Sequence, residues 1–393
     1  MAWFSMQLGA DIAKLEAERP RERRAPWWRL VPGAFLTLVL AAGGLAALLS
    51  PGTYRLPDEP IVDGSWAQAY EDNFNEGLLF RELALSSLTA LNYGLFGVGL
   101  DGVLVGEEGW LFTSEEFMRY PHEAAETAYK LALVAEVRET LETSGSRLVV
   151  ALIPAKARVY EERLGRARLP DYSRARYEAF RESLLAVGVA APDLLTPLLE
   201  AKAEGQVFLR TDTHWTPFGA QVVARALRPA VAEAGASPDH SEFAPVATGS
   251  EPFSGEPFHF LPLGPWQERL GPPPDRLERA RVREIDSGLG DDLFGELTIP
   301  VALVGTSYSG GDWQFRGALE ATLGLSVLDA AQEGLGPVIP MLRYLADPAF
   351  ESPPEVVIWE IPERYLPVRY DLSPYGREGL DREGIEEASE AFR

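Results

Sequence analysis

Three residues of this 393-residue chain have types and spacing suited to acyl-group chemistry: Asp212, His214 and Ser307. Asp212 and His214 are two positions apart, so in an extended chain their side chains point the same way. A carboxylate can then hold one imidazole nitrogen while the other nitrogen takes a proton from a hydroxyl nucleophile. The chain has only four histidines. A helix-capping loop with a structurally bonded histidine is the alternative interpretation of this motif.

Ser307 follows a hydrophobic segment, residues 300–305, whose composition is that of a buried strand. In open α/β sheets, ligands bind at the carboxyl ends of strands, and main-chain N–H groups in such a turn can stabilise an oxyanion. The Gly-Thr-Ser tripeptide alone is also typical of an ordinary strand-to-helix loop. Ser309 is a second candidate nucleophile, and Trp215 is expected to wall the site or to stack on a sugar ring.

The surrounding segments alternate between helical and strand-like patterns. Strands are predicted at residues 147–154, 207–209, 300–305, 325–328 and 355–361, and helices at residues 66–95, 123–143, 173–186, 217–234 and 312–323, the last capped by Asp312. This alternation predicts an α/β fold of three layers, with a parallel sheet covered by helices on both faces. Residues 240–297 interrupt the pattern and are predicted to be an insertion or lid within a domain spanning residues 63–370.

An uncharged stretch near the N-terminus, residues 30–50, is long enough to cross a bilayer. Five arginines precede it, so the positive-inside rule places residues 1–29 in the cytoplasm and the rest of the chain outside. A cleaved signal peptide is the alternative, although the long region before the apolar stretch argues against it. Residues 51–62 are predicted to be a linker, and residues 371–393 a charged tail.

Composition and charge exclude several classes of function. The net charge of −23 argues against nucleic-acid binding, which needs a basic surface. The chain has no cysteine, so thiolate metal sites and cysteine nucleophiles are excluded. The other three histidines lie in unrelated contexts, and neither a metal nor a cofactor is expected.

Five short stretches carry a family resemblance. They are Val-Gly-Glu-Glu-Gly-Trp-Leu-Phe (105–112), Ile-Pro-Ala-Lys (153–156), Asp-Thr-His-Trp-Thr (212–216), Gly-Thr-Ser-Tyr-Ser (305–309) and Val-Ile-Trp-Glu-Ile-Pro-Glu-Arg (357–364). Together they resemble the alginate O-acetyltransferase family (the AlgJ/AlgX group) of SGNH-hydrolase-like proteins, over about residues 60–366. The resemblance implies a circularly permuted SGNH fold, in which Ser307 is the nucleophile, His214 the base and Asp212 its orienting partner.

The oxyanion hole is the part of the family pattern that this chain does not reproduce. Ordinary SGNH enzymes place an asparagine there, whereas all three asparagines of this chain lie in the N-terminal helical stretch. Main-chain amides near the serine therefore stay candidates, together with Lys156, Arg316 and Tyr308 for oxyanion or substrate contacts. Glu360 and Arg364 are expected to form a structural salt bridge.

The resemblance implies a membrane-anchored O-acetyltransferase that moves acetyl groups onto an exported polysaccharide through a serine acyl-enzyme. It also implies a multipass membrane-bound O-acyltransferase (MBOAT) partner that supplies acetyl groups, and a catalytic domain on the periplasmic or extracytoplasmic side of the inner membrane. An esterase with the same triad and a non-catalytic glycan-binding or scaffold subunit are the alternatives. The chain after residue 50 has 30 basic and 55 acidic residues, a net charge of −25, which favours a neutral acceptor over a polyanion such as alginate.

Overall fold

The structure is a computed structural model that describes residues 30–49, 58, 60–61, 64–76, 81–236, 242–286, 299–347 and 353–376. Its strands are β1 (Val103–Val105), β2 (Leu111–Thr113), β3 (Arg147–Ile153), β4 (Glu242–Phe253), β5 (Asp275–Asp286), β6 (Val301–Val304), β7 (Val327–Asp329) and β8 (Val356–Pro362). Its α-helices are α1 (Val31–Leu48), α2 (Ser65–Glu76), α3 (Arg81–Phe96), α4 (Glu123–Thr143), α5 (Lys156–Val159), α6 (Asp171–Arg174), α7 (Arg176–Ala186), α8 (Leu195–Ala201), α9 (Pro217–Glu233), α10 (Gln267–Leu270), α11 (Phe315–Leu323) and α12 (Val338–Ala346). The chain divides into two units, residues 1–85 and 86–393, and each is described by itself.

The first unit contains α1, the one helix in the described ranges that is long and apolar enough to cross a membrane. Its 18 residues carry no charge, and at 1.5 Å per residue they span about 27 Å, close to the thickness of a bilayer core. The predicted anchor at residues 30–50 thus coincides with one continuous helix. Residues 1–29 and most of the predicted linker lie outside the described residues.

The sheet of the second unit is parallel throughout, with the strand order β3-β8-β6-β7. Every residue of β6 and β8 is buried, as expected for strands covered on both faces. Alternate side chains of the sheet pack on α8, α9 and α11 on one face and on α4, α7 and α12 on the other. The predicted three-layer α/β fold is therefore confirmed.

The helix expected over residues 66–95 is described in two parts, α2 up to Glu76 and α3 from Arg81, and residues 77–80 lie outside the described residues. Another predicted helix differs from the structure at its start. Asp312 does not cap the helix after Ser307, because α11 begins only at Phe315, and its N-cap residue Gln314 has a left-handed backbone with φ 60°. The sequence pattern predicted where this helix lies, but the helix begins later in the chain than expected.

Residues 242–286 contain a long antiparallel hairpin of β4 and β5, each of 12 residues. It packs on α11, where a Cβ at Gly317 would lie 2.5 Å from Val282 Cγ2, so a larger residue there would require Val282 to move. The segment between the two strands reaches the edge of the sheet where β3, β6 and β8 end. This places the predicted insertion beside the candidate residues.

The C-terminal segment continues to pack beyond residue 370. Leu372 is buried against the α4, α7 and α12 side of the sheet. Residues 377–393 of the predicted tail lie outside the described residues.

Candidate active site

A tight turn after β6 presents Ser307. The turn enters a short 3₁₀ helix, Ser307–Ser309, and Thr306 Oγ1 caps it by accepting a hydrogen bond from Tyr308 N at 3.3 Å. Gly305 is required here, because a Cβ would lie 2.5 Å from Glu360 Oε2 on the neighbouring strand. Ser307 is half-buried, whereas the residues on either side of it are buried.

Glu360 of β8 fixes this turn through hydrogen bonds. Its carboxylate accepts hydrogen bonds from Thr306 N at 2.7 Å, from Thr306 Oγ1 at 3.0 Å and from Ser309 Oγ at 3.2 Å. Burial raises the pKa of Glu360 to about 7, although the hydrogen bonds from Thr306 and Ser309 and the charge of Arg364 oppose the rise. Glu360 therefore positions the serine turn, which the sequence did not indicate.

Asp212 and His214 lie on a loop that an antiparallel bridge between Phe208 and Trp215 closes. Asp212 Oδ1 accepts hydrogen bonds from the main-chain N–H of His214 at 2.8 Å and from its Nδ1 at 2.5 Å. Thr216 then caps α9 by accepting from Gly219 N at 3.1 Å, and Pro217 opens the helix. The acid and the imidazole are thus paired locally, as their spacing predicted.

The structure brings the imidazole and the serine together, although they are 93 positions apart. Ser307 Oγ lies 2.9 Å from His214 Nε2, so with a proton on Nδ1 the imidazole accepts the hydroxyl hydrogen bond. Burial alone would raise the pKa of Asp212, but hydrogen bonds and charge from His214 and the N–H of Glu256 lower it to about 2. An ionised acid, an imidazole and a hydroxyl in line can activate a serine for attack on an acyl group.

The loop between β4 and β5 contributes to the same site. The main-chain N–H of Glu256 donates to Asp212 Oδ2 at 3.1 Å, and a Cβ at Gly255 would lie 2.2 Å from that oxygen. Asp275 accepts hydrogen bonds from both Thr211 N (2.7 Å) and Thr211 Oγ1 (2.6 Å). No local pattern linked residues so far apart in the chain to the Asp-His loop.

Trp313 covers the imidazole and was not among the predicted site residues. Its ring stacks on His214 with centroids 4.4 Å apart and an interplanar angle of 12°. Phe253 of the hairpin packs edge-on against Trp313 at 5.6 Å. A tryptophan six positions after the serine, in the same loop, was the available signal.

Lys156 is not an oxyanion donor in this structure. Its buried ammonium group donates to three main-chain carbonyls, those of Leu111 (2.5 Å), Arg210 (2.9 Å) and Asp212 (2.8 Å). Burial lowers the pKa of Lys156, although nearby carboxylates including Asp212 oppose this. Because all three N–H donors have acceptors in the backbone, the residue positions the Asp212 loop.

The other candidate contacts are also revised. Trp215 is fully buried against Tyr308 and Phe315, so it cannot stack on a sugar. Tyr308 is buried too, and its hydroxyl donates to Thr213 O at 2.7 Å. Arg316 is half-exposed on α11 and pairs with Glu320 one turn further along, at 3.0 Å, rather than with the serine turn.

Two further expectations fail for geometric reasons. Ser309 is buried and donates to Glu360, so it is unsuited to be the nucleophile. Glu360 and Arg364 form no direct salt bridge; the guanidinium carbon of Arg364 instead lies 5.5 Å from the ring centroid of Tyr308. Among the described residues, the main-chain N–H of Ser307 has no acceptor, so it stays a candidate oxyanion donor.

Comparison with known proteins identifies the family to which this chain belongs. The family model described as an SGNH hydrolase-like domain, acetyltransferase AlgX, matches residues 103–363. A protein of Azotobacter vinelandii named "Probable alginate O-acetylase AlgJ" is 42% identical over 348 residues, which are 87% of this chain and 90% of that protein. The protein of the same name from Pseudomonas aeruginosa is 39% identical over 353 residues, 87% of this chain and 90% of its own.

Solved structures agree with the sequence comparison. The O-acetyltransferase domain of Pseudomonas putida AlgJ superposes with a TM-score of 0.64 and 43% identity, covering 74% of this chain and 99% of that one. Pseudomonas aeruginosa AlgX superposes with a TM-score of 0.54 and 23% identity, covering 73% and 66%, and shows the shared fold. The chain belongs to the family of SGNH hydrolase-like acetyltransferases that contains AlgJ and AlgX.

Proposed function

We propose that this protein is a polysaccharide O-acetyltransferase that works through a serine acyl-enzyme, with Ser307 as nucleophile, His214 as general base and acid, and Asp212 as its orienting carboxylate. The observation that carries the proposal is the continuous hydrogen-bonded line of 2.5 Å from Asp212 to His214 and 2.9 Å from His214 to Ser307. The activity named for its AlgJ relatives supports the same reaction.

The reaction has two steps. Ser307 Oγ attacks the acetyl carbonyl of the donor while His214 Nε2 takes its proton, and the imidazolium returns that proton to the leaving group. A hydroxyl of the polysaccharide then attacks the acetyl-serine, giving its proton to His214. The bond between the acetyl carbon and Ser307 Oγ breaks, the imidazolium returns the proton to Ser307 Oγ, and the acetyl ester is now on the sugar. The ionised Asp212 stabilises the imidazolium in both steps, and the main-chain N–H of Ser307 is our candidate donor to the oxyanion.

The acceptor we propose is an acidic polysaccharide of the alginate type. The relatives named for alginate support it, against the neutral acceptor expected from the net charge of the whole chain. The family resemblance further implies an MBOAT partner as the source of acetyl groups, and we propose α1 as the anchor that keeps the domain at the membrane beside it.

The test uses the full chain in detergent with an activated acetyl ester, with and without oligosaccharide acceptors. Wild-type protein is expected to form an acetyl-enzyme on the peptide that contains Ser307 and to release acetylated oligosaccharide. The Ser307→Ala variant should do neither, and acetyl-enzyme that persists in it would refute the assignment. Free acetate as the sole product would favour the esterase, and an inert wild-type protein would favour the scaffold.

A further inference from the structure

A concave cavity of about 870 Å³ opens on the second unit, away from the candidate triad. Its lining includes Arg119, Tyr120, His122, Tyr172 and Arg176. The volume lies within the range of small-molecule sites, and none of these residues belongs to the mechanism proposed above.

The cavity lies at the same edge of the sheet as Ser307. Glu116, three residues before Arg119, accepts hydrogen bonds from Lys156 N at 3.1 Å and Ala157 N at 2.8 Å, directly after β3. The hydroxyl of Tyr172 donates to Phe117 O at 2.5 Å. The cavity wall is thereby fixed to the carboxyl end of β3. Two strand spacings, about 10 Å, separate β3 from β6 in this sheet.

A row of aromatic and cationic groups joins the cavity to the serine turn. Tyr308 follows Ser307 in the chain, and the guanidinium carbon of Arg364 lies 5.5 Å from its ring centroid and 4.7 Å from that of Tyr365. Arg364 Nε also lies 3.7 Å from a carboxylate oxygen of Glu115, in the short 3₁₀ segment Ser114–Phe117 that leads to Arg119. The row follows the strand ends from β6 across β8 to β3.

The chemistry of the cavity suits an anionic sugar. Arg119 is exposed, forms no salt bridge among the described residues, and its guanidinium carbon lies 6.0 Å from the ring centroid of Tyr172. Arg176 is neutralised by Glu123, and Tyr172 is 40% exposed. A guanidinium binds a carboxylate through two parallel hydrogen bonds, while an exposed aromatic face offers apolar contact to a sugar ring.

We propose that this cavity binds a uronate-containing stretch of the acceptor polysaccharide, several sugars away from the residue that receives the acetyl group. The inference rests on the proposed function, since it names the acceptor chemistry of the same enzyme. Arg119 lies beside the partly exposed ring of Tyr172, so the pair offers an acidic glycan a cationic contact and an aromatic contact together.

The experiment measures oligosaccharide binding by calorimetry to the full chain in detergent, in the Ser307→Ala background so that no transfer occurs. The probes are an oligouronate and the same oligomer with its carboxyl groups reduced to alcohols. Arg119→Ala is expected to weaken oligouronate binding about tenfold, the loss of one charge-assisted contact. Tyr172→Ala is expected to weaken binding of both probes.

Arg147→Ala provides the matched control. Arg147 is an exposed arginine at the amino end of β3, the opposite edge of the sheet, where it pairs with Glu142. The control should bind both probes as the parent does, and the thermal midpoint of each variant shows whether it folds. Equal oligouronate affinity in the parent and Arg119→Ala, equal affinity for both probes in the parent, or no oligouronate binding at all would each overturn the proposal. Ester turnover by the wild-type protein tests the proposed function separately.

Discussion

Buried charged groups beneath the candidate triad bind the backbone of the reacting residues. The ammonium of Lys156 holds the carbonyl of Asp212, and the carboxylate of Glu360 holds the amide of Thr306 just before the serine. The sequence pattern made Lys156 a candidate oxyanion or substrate contact and Glu360 a candidate partner of Arg364. Whether its polar atoms face the substrate or the backbone depends on the fold around it.

Asp212→Asn tests the acid directly. The amide cannot stabilise the imidazolium and favours the wrong imidazole tautomer, so acetyl-enzyme formation is expected to fall about a thousandfold or more. Single-turnover kinetics with an activated ester measure this rate. Asp371→Asn, an exposed aspartate that bonds Ser373, is the control and should retain the parent rate. A similar rate in Asp212→Asn would contradict the triad.

Lys156→Met tests the positioning role of the lysine. The substitution leaves three buried carbonyl oxygens without their donor, so the free energy of unfolding is expected to fall by about 3 kcal/mol. Denaturant unfolding measures this change. Lys202→Met is the control, since Lys202 donates to one carbonyl, that of Val159, from a partly exposed position and should cost about 1 kcal/mol or less. Equal decreases in the free energy of unfolding of the two variants would refute the stabilising role of the buried Lys156 hydrogen bonds.

At the scale of elements, the site is assembled from three separate parts of the chain. The β6 turn carries the serine, the loop before α9 carries the acid and imidazole, and the loop of the β4–β5 hairpin supplies the Glu256 amide to Asp212. The alternating pattern predicted the four strands of the sheet and most helices, because the central strands β6 and β8 are buried on both faces and most helices bury one face. The strand expected over residues 207–209 is wrong: in the structure Phe208 forms only an isolated bridge with Trp215. The position of the hairpin could not be predicted from the sequence. It depends on contacts with α11 and Asp212, which are distant from the hairpin along the chain.

Gly255→Ala tests the contact between hairpin and acid. A methyl group there would lie 2.2 Å from Asp212 Oδ2, so either the hairpin loop or the carboxylate must move. A displacement of about 1 Å at a catalytic group can lower the rate about a hundredfold, and the rate of acetyl-enzyme formation is the measurement. Gly94→Ala in α3, where a Cβ meets nothing within 4 Å, is the control. If Gly255→Ala forms the acetyl-enzyme at the parent rate, the contact between the hairpin loop and Asp212 does not contribute to catalysis.

At the scale of the whole molecule, the strongly acidic chain keeps a few charges buried, and these make its stability depend on pH. Burial raises the pKa of Glu360 to about 7, so the folded protein binds this proton more tightly than the unfolded chain. Its contribution to stability is fully present below the unfolded value of 4.5 and is lost as the pH rises through about 7.

Glu360→Gln should remove this part of the pH dependence. The free energy of unfolding of the parent is expected to decrease by about 3 kcal/mol more than that of the variant between pH 4 and pH 8. Denaturant titrations at a series of pH values measure how the free energy of unfolding of each protein changes with pH. Glu278→Gln, an exposed glutamate on β5, is the control. Parallel pH profiles for parent and Glu360→Gln would show that Glu360 has no raised pKa.

The anchor is a second property of the whole molecule. If α1 is retained, the mature protein sediments with membranes, is released by detergent but not by high salt, and still contains residues 31–48. Cell fractionation and N-terminal sequencing measure this. Replacing Leu38 and Leu40 by arginine should abolish membrane retention, because charges near the bilayer centre are costly. A soluble protein beginning after residue 50 would identify a cleaved signal sequence.

The sequence by itself determined the parts of this protein that depend on local pattern: the apolar α1, the buried strands, the helices with one apolar face, and the pairing of Asp212 with His214 two positions away. These follow from side-chain spacing along one segment. Only the tertiary structure decided which serine faces the imidazole, that Lys156 and Glu360 support the backbone, that Trp215 is buried while Trp313 covers His214, and that the hairpin reaches Asp212. Each of these depends on segments that meet only when the sheet closes and hydrogen bonds must be satisfied away from water.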